Sequence, residues 1–215
     1  MRQPVFVYGA MRSGTTVFRL MLDRHPDLAN PGEADFLFDH LHERPDGTLG
    51  YDLHALRLER IFAAKRLEVP EGLDGEALLR DFVGQLARRA APRLLTLNIH
   101  RNATRAVRFF PEARFVHMLR DPRDVARSSI GMGWAADLWG GVDHWLKTEA
   151  DWSAAAPHLP EQAVCELRYE RLFVDIEGEL RRICAFLGVA YEAAMLDYHH
   201  GSNYGPPNPK LIDQW

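Results

Sequence analysis

The sequence has few cysteines, no long apolar run and no excess of basic residues, and each shortage argues against a class of protein. Cys165 and Cys184 have neither a CxxC pair nor a metal-ligand spacing, so we expect neither a disulfide framework nor a cysteine-bound metal. No apolar run approaches the ~18–20 residues that a membrane-spanning helix needs. The formal net charge of −4 argues against general nucleic-acid affinity. We therefore expect a cytoplasmic protein with reduced thiols, no membrane span and no nucleic-acid partner.

Apolar runs alternate with stretches of helical spacing along the chain. We predict strands at Val5–Tyr8, Leu94–Ile99, Arg114–Leu119 and 164–169, and helices at 17–22, 34–42, 53–67, 75–90, 102–110 and 177–187. Residues 44–50 form a predicted loop, and residues 201–215, rich in proline, glycine and asparagine, an irregular tail. Helices between apolar strands indicate an α/β fold. The prediction is one domain over residues 1–215, with a central parallel sheet flanked by helices on both faces.

A phosphate-binding loop joins the first predicted strand to the first predicted helix. Gly9, Gly14 and Thr16 follow the spacing of the P-loop pattern, but Thr15 stands where that pattern requires lysine. The main-chain N–H groups and the dipole of the helix N-terminus favour an anion at this point. Without the lysine that reaches the β- and γ-phosphates, the loop is poorly suited to the usual chemistry of ATP or GTP. Arg12 offers a forked cation instead, suited to an oxyanion.

A second candidate anion site follows the third predicted strand, at the edge where open α/β sheets bind ligands. Arg120 ends that strand and Ser128 lies two turns into the next helix, so both converge on an anion beside the first. Asp121, Pro122 and Asp124 are typical of an N-cap, a first helical residue and a capping box. A kinase would use Asp121 as a magnesium ligand instead, but the adjacent Arg120 opposes a metal.

Two adjacent anion sites suit a ligand that carries two separated anionic groups. The segments Arg12-Ser13-Gly14-Thr15-Thr16, 115–128 and 167–188 together resemble the sulfotransferases that use 3′-phosphoadenosine 5′-phosphosulfate (PAPS). The resemblance follows the family's order over nearly the whole chain, with similarity to the tyrosylprotein-type and bacterial members. It implies a P-loop-like three-layer fold around a central parallel sheet.

The resemblance also implies roles for individual residues. The 5′-phosphosulfate would be held by Arg12, Ser13, Gly14, Thr15 and Thr16. The 3′-phosphate would be held by Arg120 and Ser128. Tyr169 resembles a tyrosine near the adenine, although a core tyrosine at a strand end explains it equally well. No metal is implied: an acceptor oxygen or nitrogen attacks sulfur in line, and adenosine 3′,5′-bisphosphate (PAP) leaves while Arg12 meets the developing charge.

Arg12, Glu33 and His100 form the candidate catalytic set. Glu33 resembles the catalytic glutamate that follows the first helix in tyrosylprotein-type and several bacterial members, and an ionised glutamate can accept a hydroxyl proton. A glutamate that simply favours a helix start is the structural alternative. His100, His199 and His200 are rival bases, because a neutral imidazole is equally competent.

Two features depart from the family's pattern. Many members have a lysine in or just after the second strand, near the transferred sulfuryl group, whereas residues 97–101 have none. Either His100 or Arg101 replaces this lysine, or the stabilisation of charge depends more heavily on Arg12. Cytosolic members also have a late, basic, glycine-rich loop, and here residues 201–210 offer only Lys210.

Four tryptophans follow the second anion site. Trp134 and Trp139, flanked by glycines, are candidates for an acceptor pocket. Trp145 and Trp152 lie seven residues apart on one predicted helix face and are expected in the core.

Three functions remain open at this point. The first is a sulfotransferase that moves the sulfuryl group of PAPS to a small-molecule, carbohydrate or peptide acceptor. The second is a P-loop kinase of nucleotides or small metabolites, and the third is a catalytically silent member that binds the nucleotide or a partner. The sequence does not identify the acceptor or the oligomeric state.

Overall fold

The computed structural model describes residues 3–198, so the predicted tail at 201–215 and the candidate bases His199 and His200 lie outside the described residues. The strands are β1 (Val5–Tyr8), β2 (Leu28–Ala29), β3 (Leu41–Glu43), β4 (Leu49–Tyr51), β5 (Leu94–Ile99), β6 (Arg114–Leu119) and β7 (Val164–Arg168). The α-helices are α1 (Thr15–Asp23), α2 (Phe36–Asp39), α3 (Leu53–Leu58), α4 (Arg60–Lys65), α5 (Gly75–Ala90), α6 (Ala103–Phe109), α7 (Pro122–Gly131), α8 (Leu138–Ala155), α9 (Arg171–Val174) and α10 (Ile176–Leu187).

Five strands form a parallel sheet in the order β2-β5-β1-β6-β7. The central strand β1 aligns Val5 with Thr96 of β5 on one side and with Arg114 of β6 on the other. Because every strand runs the same way, the loops after β1, β5 and β6 all leave the sheet at one edge. That shared edge is where the two predicted anion sites meet.

The side chains of β1 alternate between two apolar cores, one on each face of the sheet. Phe6 and Tyr8 pack on one face with buried residues of α2, α5, α6 and α8. Val5 and Val7 pack on the other face with buried residues of α1 and α10. A sheet buried on both faces explains why its strands are continuous apolar runs. The predicted α/β class, with a central parallel sheet flanked by helices, is confirmed.

The predicted helix at 34–42 and the predicted loop at 44–50 are wrong in part. Only Phe36–Asp39 is helical, and β3 pairs with β4 as an antiparallel hairpin. The turn is built by Gly47, whose φ is +80°, and by Asp46, whose carboxylate accepts from the N–H of Thr48 at 2.9 Å. An Asp-Gly pair is a recognised hairpin signal, and here it outweighs the helical spacing of the apolar residues before it.

The predicted helix at 53–67 is two helices, α3 and α4. Glu59 between them is extended, with ψ at 123°, and its carboxylate lies 2.8 Å from Nε2 of His40. This extended residue ends α3 and precedes α4. The two-residue strand β2, at the edge of the sheet, was missed because so short a strand has no detectable alternation.

Candidate functional site

The loop after β1 is shaped by two close approaches of neighbouring residues. A Cβ on Gly9 would lie 2.4 Å from the carbonyl oxygen of Met118 on the adjacent strand. Gly14 has a φ of +91°, and a Cβ there would lie 2.1 Å from the ring of Tyr169. Both positions therefore require glycine. Helix α1 begins at Thr15, so the N–H groups of its first turn have no acceptor within the helix.

Ser13 lies at the centre of this loop. Its side chain is fully buried, and its hydroxyl has no hydrogen-bond partner among residues 3–198. A buried polar group without a partner costs free energy unless a ligand supplies one. Phosphate or sulfuryl oxygens, which accept hydrogen bonds, fit the hydroxyl and the N–H groups of the α1 N-terminus.

Arg12 joins the two predicted anion sites. Its Nε donates to Oγ of Ser128 at 3.0 Å, and its carbonyl oxygen accepts from Nη1 of Arg120 at 2.9 Å. Its guanidinium carbon lies 5.4 Å from the ring centre of Trp134. Arg12 has a φ of +73°, a conformation that costs an arginine on the order of 1–2 kcal/mol. The two sites that the sequence separates by more than a hundred residues are thus in direct contact.

Positive charge is concentrated at this contact. The pKa of Arg12 is lowered, first because the side chain is half-buried and then because the Arg120 guanidinium is close. Arg120 is itself 8% exposed, with its guanidinium 4.3 Å from the ring centre of Tyr169. Two neighbouring cations that are partly removed from water favour an anion between them.

Tyr169 packs against the phosphate-binding loop at Gly14. It is 3% exposed, and its ring fills the space that a side chain at position 14 would need. Burial raises its pKa to about 12 despite the nearby guanidinium groups. The packing alternative from the sequence is therefore observed, and the adenine contact stays a prediction.

Helix α7 starts as the sequence predicts, with one difference. The Asp121 carboxylate caps the helix by accepting from the N–H of Arg123 at 2.8 Å, and Pro122 is the first helical residue. The N–H of Asp121 donates to Glu170 at 2.9 Å, in the place that a capping box would give to Asp124. Hydrogen bonds from Arg123 lower the pKa of Asp121 to about 2. This carboxylate is committed to the cap and to Arg123, which disfavours the magnesium role.

Glu33 is brought to the same edge of the sheet by Asn98. Beyond β2, Glu33 forms an isolated parallel bridge with Asn98, and the N–H of Ala34 donates to the Asn98 carbonyl at 2.8 Å. The buried Asn98 side chain donates to the carbonyl of Thr15 at 3.1 Å and accepts from Asn30 at 2.9 Å. Asn98 thus fastens the segment that carries Glu33 to the start of α1. This role of Asn98 is not predicted from the sequence, in which the strand is notable only for its lack of a lysine.

His100 is buried with a defined ring orientation. Its Nδ1 lies 2.8 Å from the carbonyl oxygen of Gly9, which can only accept, so Nδ1 carries the proton. In the neutral ring, Nε2 then has the lone pair that a base needs. The His100 N–H donates to the buried Asp35 carboxylate at 2.7 Å. Burial raises the pKa of Asp35, opposed by His100 and Arg101.

Asp35 and His144 are not among the site residues that the sequence predicts. Asp35 was treated as part of a helix, and nothing in its local pattern indicates a contact with a strand 65 residues away. Burial lowers the pKa of His144, half-buried on α8, and the nearby main chain of Met11 in the phosphate loop opposes this shift. Only the fold brings α8 against that loop.

Arg101 lies in an ion pair with Asp39, with Nε 2.7 Å from the carboxylate. This pairing disfavours Arg101 as the replacement for the family's lysine and leaves His100 and greater reliance on Arg12. Trp152 is buried beside Tyr8, as predicted for the core, and Trp145 is half-buried. Trp134 lies at Arg12, whereas Trp139 is 83% exposed.

Within the described part of the chain, no helix is long and apolar enough to cross a membrane. Residues 3–198 also contain no group of three or more histidine, cysteine, aspartate or glutamate side chains arranged to hold a metal ion. Both cysteines are free and buried.

Comparison with known proteins gives consistent matches. The model of the sulfotransferase family matches residues 4–193. A protein-tyrosine sulfotransferase of Drosophila melanogaster is 27% identical over 219 residues, which cover 95% of this chain and 41% of that protein, so the chain spans less than half of this relative. The sulfotransferase domain of the Synechococcus PCC 7002 olefin synthase is 24% identical with a TM-score of 0.75, covering 100% of this chain and 88% of that one.

A mouse sulfotransferase solved in complex with PAP is 14% identical, has a TM-score of 0.56 and covers 95% of this chain and 69% of its own. These structural likenesses concern the fold. The family match spans both anion sites and the strand edge that joins them. The chain therefore belongs to the sulfotransferase family.

Proposed function

We propose that this chain transfers a sulfuryl group from PAPS to a hydroxyl or amine of an acceptor, by in-line displacement without a metal. The observation that carries the proposal is the contact between the two anion sites, through Arg12 Nε and Ser128 Oγ at 3.0 Å. ATP and ADP have a single chain of phosphates, whereas PAPS has anionic groups at both the 3′ and 5′ positions. The mouse relative solved with PAP supports the same ligand class.

Each group of residues in the site has a proposed role. Bound PAPS supplies an activated sulfuryl group and a phosphate leaving group. The loop N–H groups, the Ser13 hydroxyl and Arg12 hold the 5′ end, while Arg120 and Ser128 hold the 3′-phosphate. Arg12 would meet the charge that develops on the bridging oxygen, and fixed donors of this kind are each worth about 3 kcal/mol of transition-state stabilisation.

Glu33 is proposed as the base that accepts the acceptor's proton. It lies at the sheet edge beside the loop, held there by the bridge to Asn98. Nε2 of His100 is the alternative, because its lone pair is available in the tautomer that the Gly9 carbonyl selects. The named relative, a protein-tyrosine sulfotransferase, makes a peptide tyrosine the first acceptor to test.

The experiment is calorimetric titration of PAP, ADP and ATP without added metal, on the wild type and on Arg120→Ala. PAP should bind more tightly than ADP, and Arg120→Ala should reduce that preference. Arg123→Ala is the matched control, because this arginine is in the same segment but pairs at the surface with Asp121. ATP binding that requires Mg²⁺ and exceeds PAP binding would replace the proposal with the kinase function.

A further inference from the structure

Helix α6 takes its N-terminal cap from a distant helix. Asn102 stands at the N-cap position with a φ of +63°, and its side chain donates to Asp39 at 2.9 Å instead of capping the helix. The N–H groups of a first helical turn need acceptors from outside the helix. Here the acceptor is the carboxylate of Asp151 on α8, which lies 48 residues beyond the first helical residue, Ala103.

The Asp151 carboxylate accepts hydrogen bonds from two elements. Its Oδ2 accepts from the N–H of Ala103 at 2.7 Å and from the Tyr8 hydroxyl at 2.9 Å. Its Oδ1 accepts from the N–H of Thr104 at 3.4 Å and from the Thr104 hydroxyl at 3.2 Å. A carboxylate at a helix N-terminus also interacts favourably with the helix dipole. Asp151 therefore connects the start of α6 with the central strand β1.

Tyr8 holds this part of α8 against the sheet. It is fully buried, and burial and then the Asp151 charge raise the pKa of its hydroxyl, which therefore keeps the proton that it donates. The hydroxyl also lies 2.9 Å from the carbonyl oxygen of Thr148, one turn before Asp151 on α8. The Tyr8 ring stacks on Trp152, with ring centres 5.4 Å apart. These contacts give the carboxylate a fixed position.

His100 lies in the short loop between β5 and α6, and this loop is held at both ends. At its start, the His100 N–H donates to Asp35 at 2.7 Å, and Nδ1 lies 2.8 Å from the Gly9 carbonyl oxygen. The His100 carbonyl oxygen lies 3.3 Å from the Thr148 hydroxyl. At its end, the cap from Asp151 fixes the first turn of α6. Because the imidazole and the capped helix start belong to one loop, a shift of the helix start would displace the ring from the Gly9 carbonyl.

We propose that Asp151 is a positioning residue: by capping α6 and binding Tyr8, it holds the His100 imidazole at the Gly9 carbonyl, with the proton on Nδ1 and the lone pair of Nε2 available beside the phosphate loop. This inference rests on the proposed function, in which His100 is the alternative base and a candidate to replace the family's lysine. It deepens that function because Asp151 acts through His100 and not on the substrates.

The first test is nitrogen-15 NMR of the histidine side chains in the protein without ligand, at about pH 8, where an ordinary imidazole with a pKa of ~6.5 is neutral. The His100 signals are assigned by their loss in His100→Asn. In the wild type they should show one tautomer, with the proton on Nδ1. In Asp151→Ala they should show a mixture of both tautomers. Asp151 is half-buried and Tyr8 keeps its contact with the Thr148 carbonyl, so this variant should fold.

Three other variants separate position from charge and from general stability. Asp151→Asn keeps an oxygen for the two shorter hydrogen bonds, from Ala103 and Tyr8, and should keep the wild-type pattern. Asp151→Glu keeps the charge but moves the carboxylate by one methylene, and should give the mixture. Asp175→Ala is the matched control: its carboxylate caps α10, on the opposite face of the sheet, by accepting from Gly178 at 2.9 Å, and its loss should leave the His100 signals unchanged.

A single Nδ1-protonated tautomer in Asp151→Ala, or in Asp151→Glu where the alanine variant does not fold, would overturn the proposal. This measurement needs neither PAPS nor an acceptor, so it decides the inference separately from the proposed function.

The second test is a double-mutant cycle on transfer from PAPS to a tyrosine peptide. Asp151→Ala should lower kcat by about tenfold or more, but by no more than His100→Asn does, with little change in the KM for PAPS. In a His100→Asn background, Asp151→Ala should cause little further loss, because residues that act through one another are not additive. Equal fold losses of kcat in the two backgrounds would make Asp151 a general structural residue and overturn the proposal. Absence of transfer by the wild type would count against the proposed function, and the tautomer measurement would still decide the role of Asp151.

Discussion

Replacing Ser128 by alanine removes one oxygen from the contact between the two anion sites. The Ser128 side chain is half-buried and accepts from Arg12 Nε at 3.0 Å, so the change leaves no large cavity. In the proposed complex its hydroxyl donates to the 3′-phosphate. A hydrogen bond to a charged group contributes about 1.5–3 kcal/mol, which corresponds to a roughly 10- to 150-fold weaker affinity for PAP. ADP lacks the 3′-phosphate and should lose no more than about twofold, as for an ordinary surface change.

The assay is calorimetric titration of PAP and of ADP, without metal, on the wild type and Ser128→Ala. The neighbouring Ser129 provides a matched control. Its hydroxyl donates to the carbonyl of Val125 at 2.9 Å inside α7 and is buried away from the site, so Ser129→Ala should not alter either affinity. Equal losses for PAP and ADP in Ser128→Ala, or no loss at all, would refute the assignment of the second anion site.

Three further predictions concern catalysis and stability. Arg12→Ala should lower the rate of transfer from PAPS to a tyrosine peptide about 10²- to 10³-fold. Because burial and Arg120 lower the pKa of Arg12, the thermal unfolding midpoint of this variant without ligand should not fall below that of the wild type. A clear fall would make Arg12 a structural residue. Glu33→Gln should lower kcat by at least about 100-fold. His100→Asn, which keeps a donor to the Gly9 carbonyl, should lower kcat less. A larger loss of kcat in His100→Asn than in Glu33→Gln would assign the base to the histidine. Burial raises the pKa of Asp35, so its ionised form lowers the stability of the folded state as the pH rises above the unfolded pKa of 3.8. Asp35→Asn should therefore have a higher melting temperature than the wild type at pH 7, and the difference in melting temperature should narrow towards pH 4. A difference that does not change with pH would show that Asp35 does not titrate in this way.

The parts of the site that the sequence predicts are those built from local signals. The apolar run 5–8, the glycines of the loop and the Asp121-Pro122 start of α7 each act within a few residues. Their chemistry is therefore visible in the order of the amino acids. The approach of Arg120 to the phosphate loop also follows from the sequence, because adjacent parallel strands end at a shared edge.

The parts that the sequence does not predict depend on contacts between distant segments. Asn98 connects the first turn of α1 with the residues after β2, and its role is fixed by three partners that no spacing rule relates. Asp35 and His144 likewise lie close to site residues that are far along the chain, His100 and Met11 respectively. The hairpin β3–β4 is a different case: its Asp46-Gly47 turn is a local signal, but the sequence predictions were a helix at 34–42 and a loop at 44–50.

Tyr169 shows how one residue carries two explanations. Tyr169 is buried and packs against Gly14 and Arg120. The same packing places its ring against Gly14, in the loop that would hold the 5′ end of the nucleotide. Tyr169→Phe should preserve both the loop and PAP affinity if packing is its whole role, and calorimetry with PAP measures the difference.

The most direct test of the central claim is the affinity of the purified protein for PAP, ADP and ATP, measured by calorimetry in the absence of metal. We expect PAP to bind most tightly, because among the three nucleotides PAP alone could engage both Arg12 at one anion site and Arg120 with Ser128 at the other. Binding of ATP that appears only with Mg²⁺ and exceeds that of PAP would contradict the account.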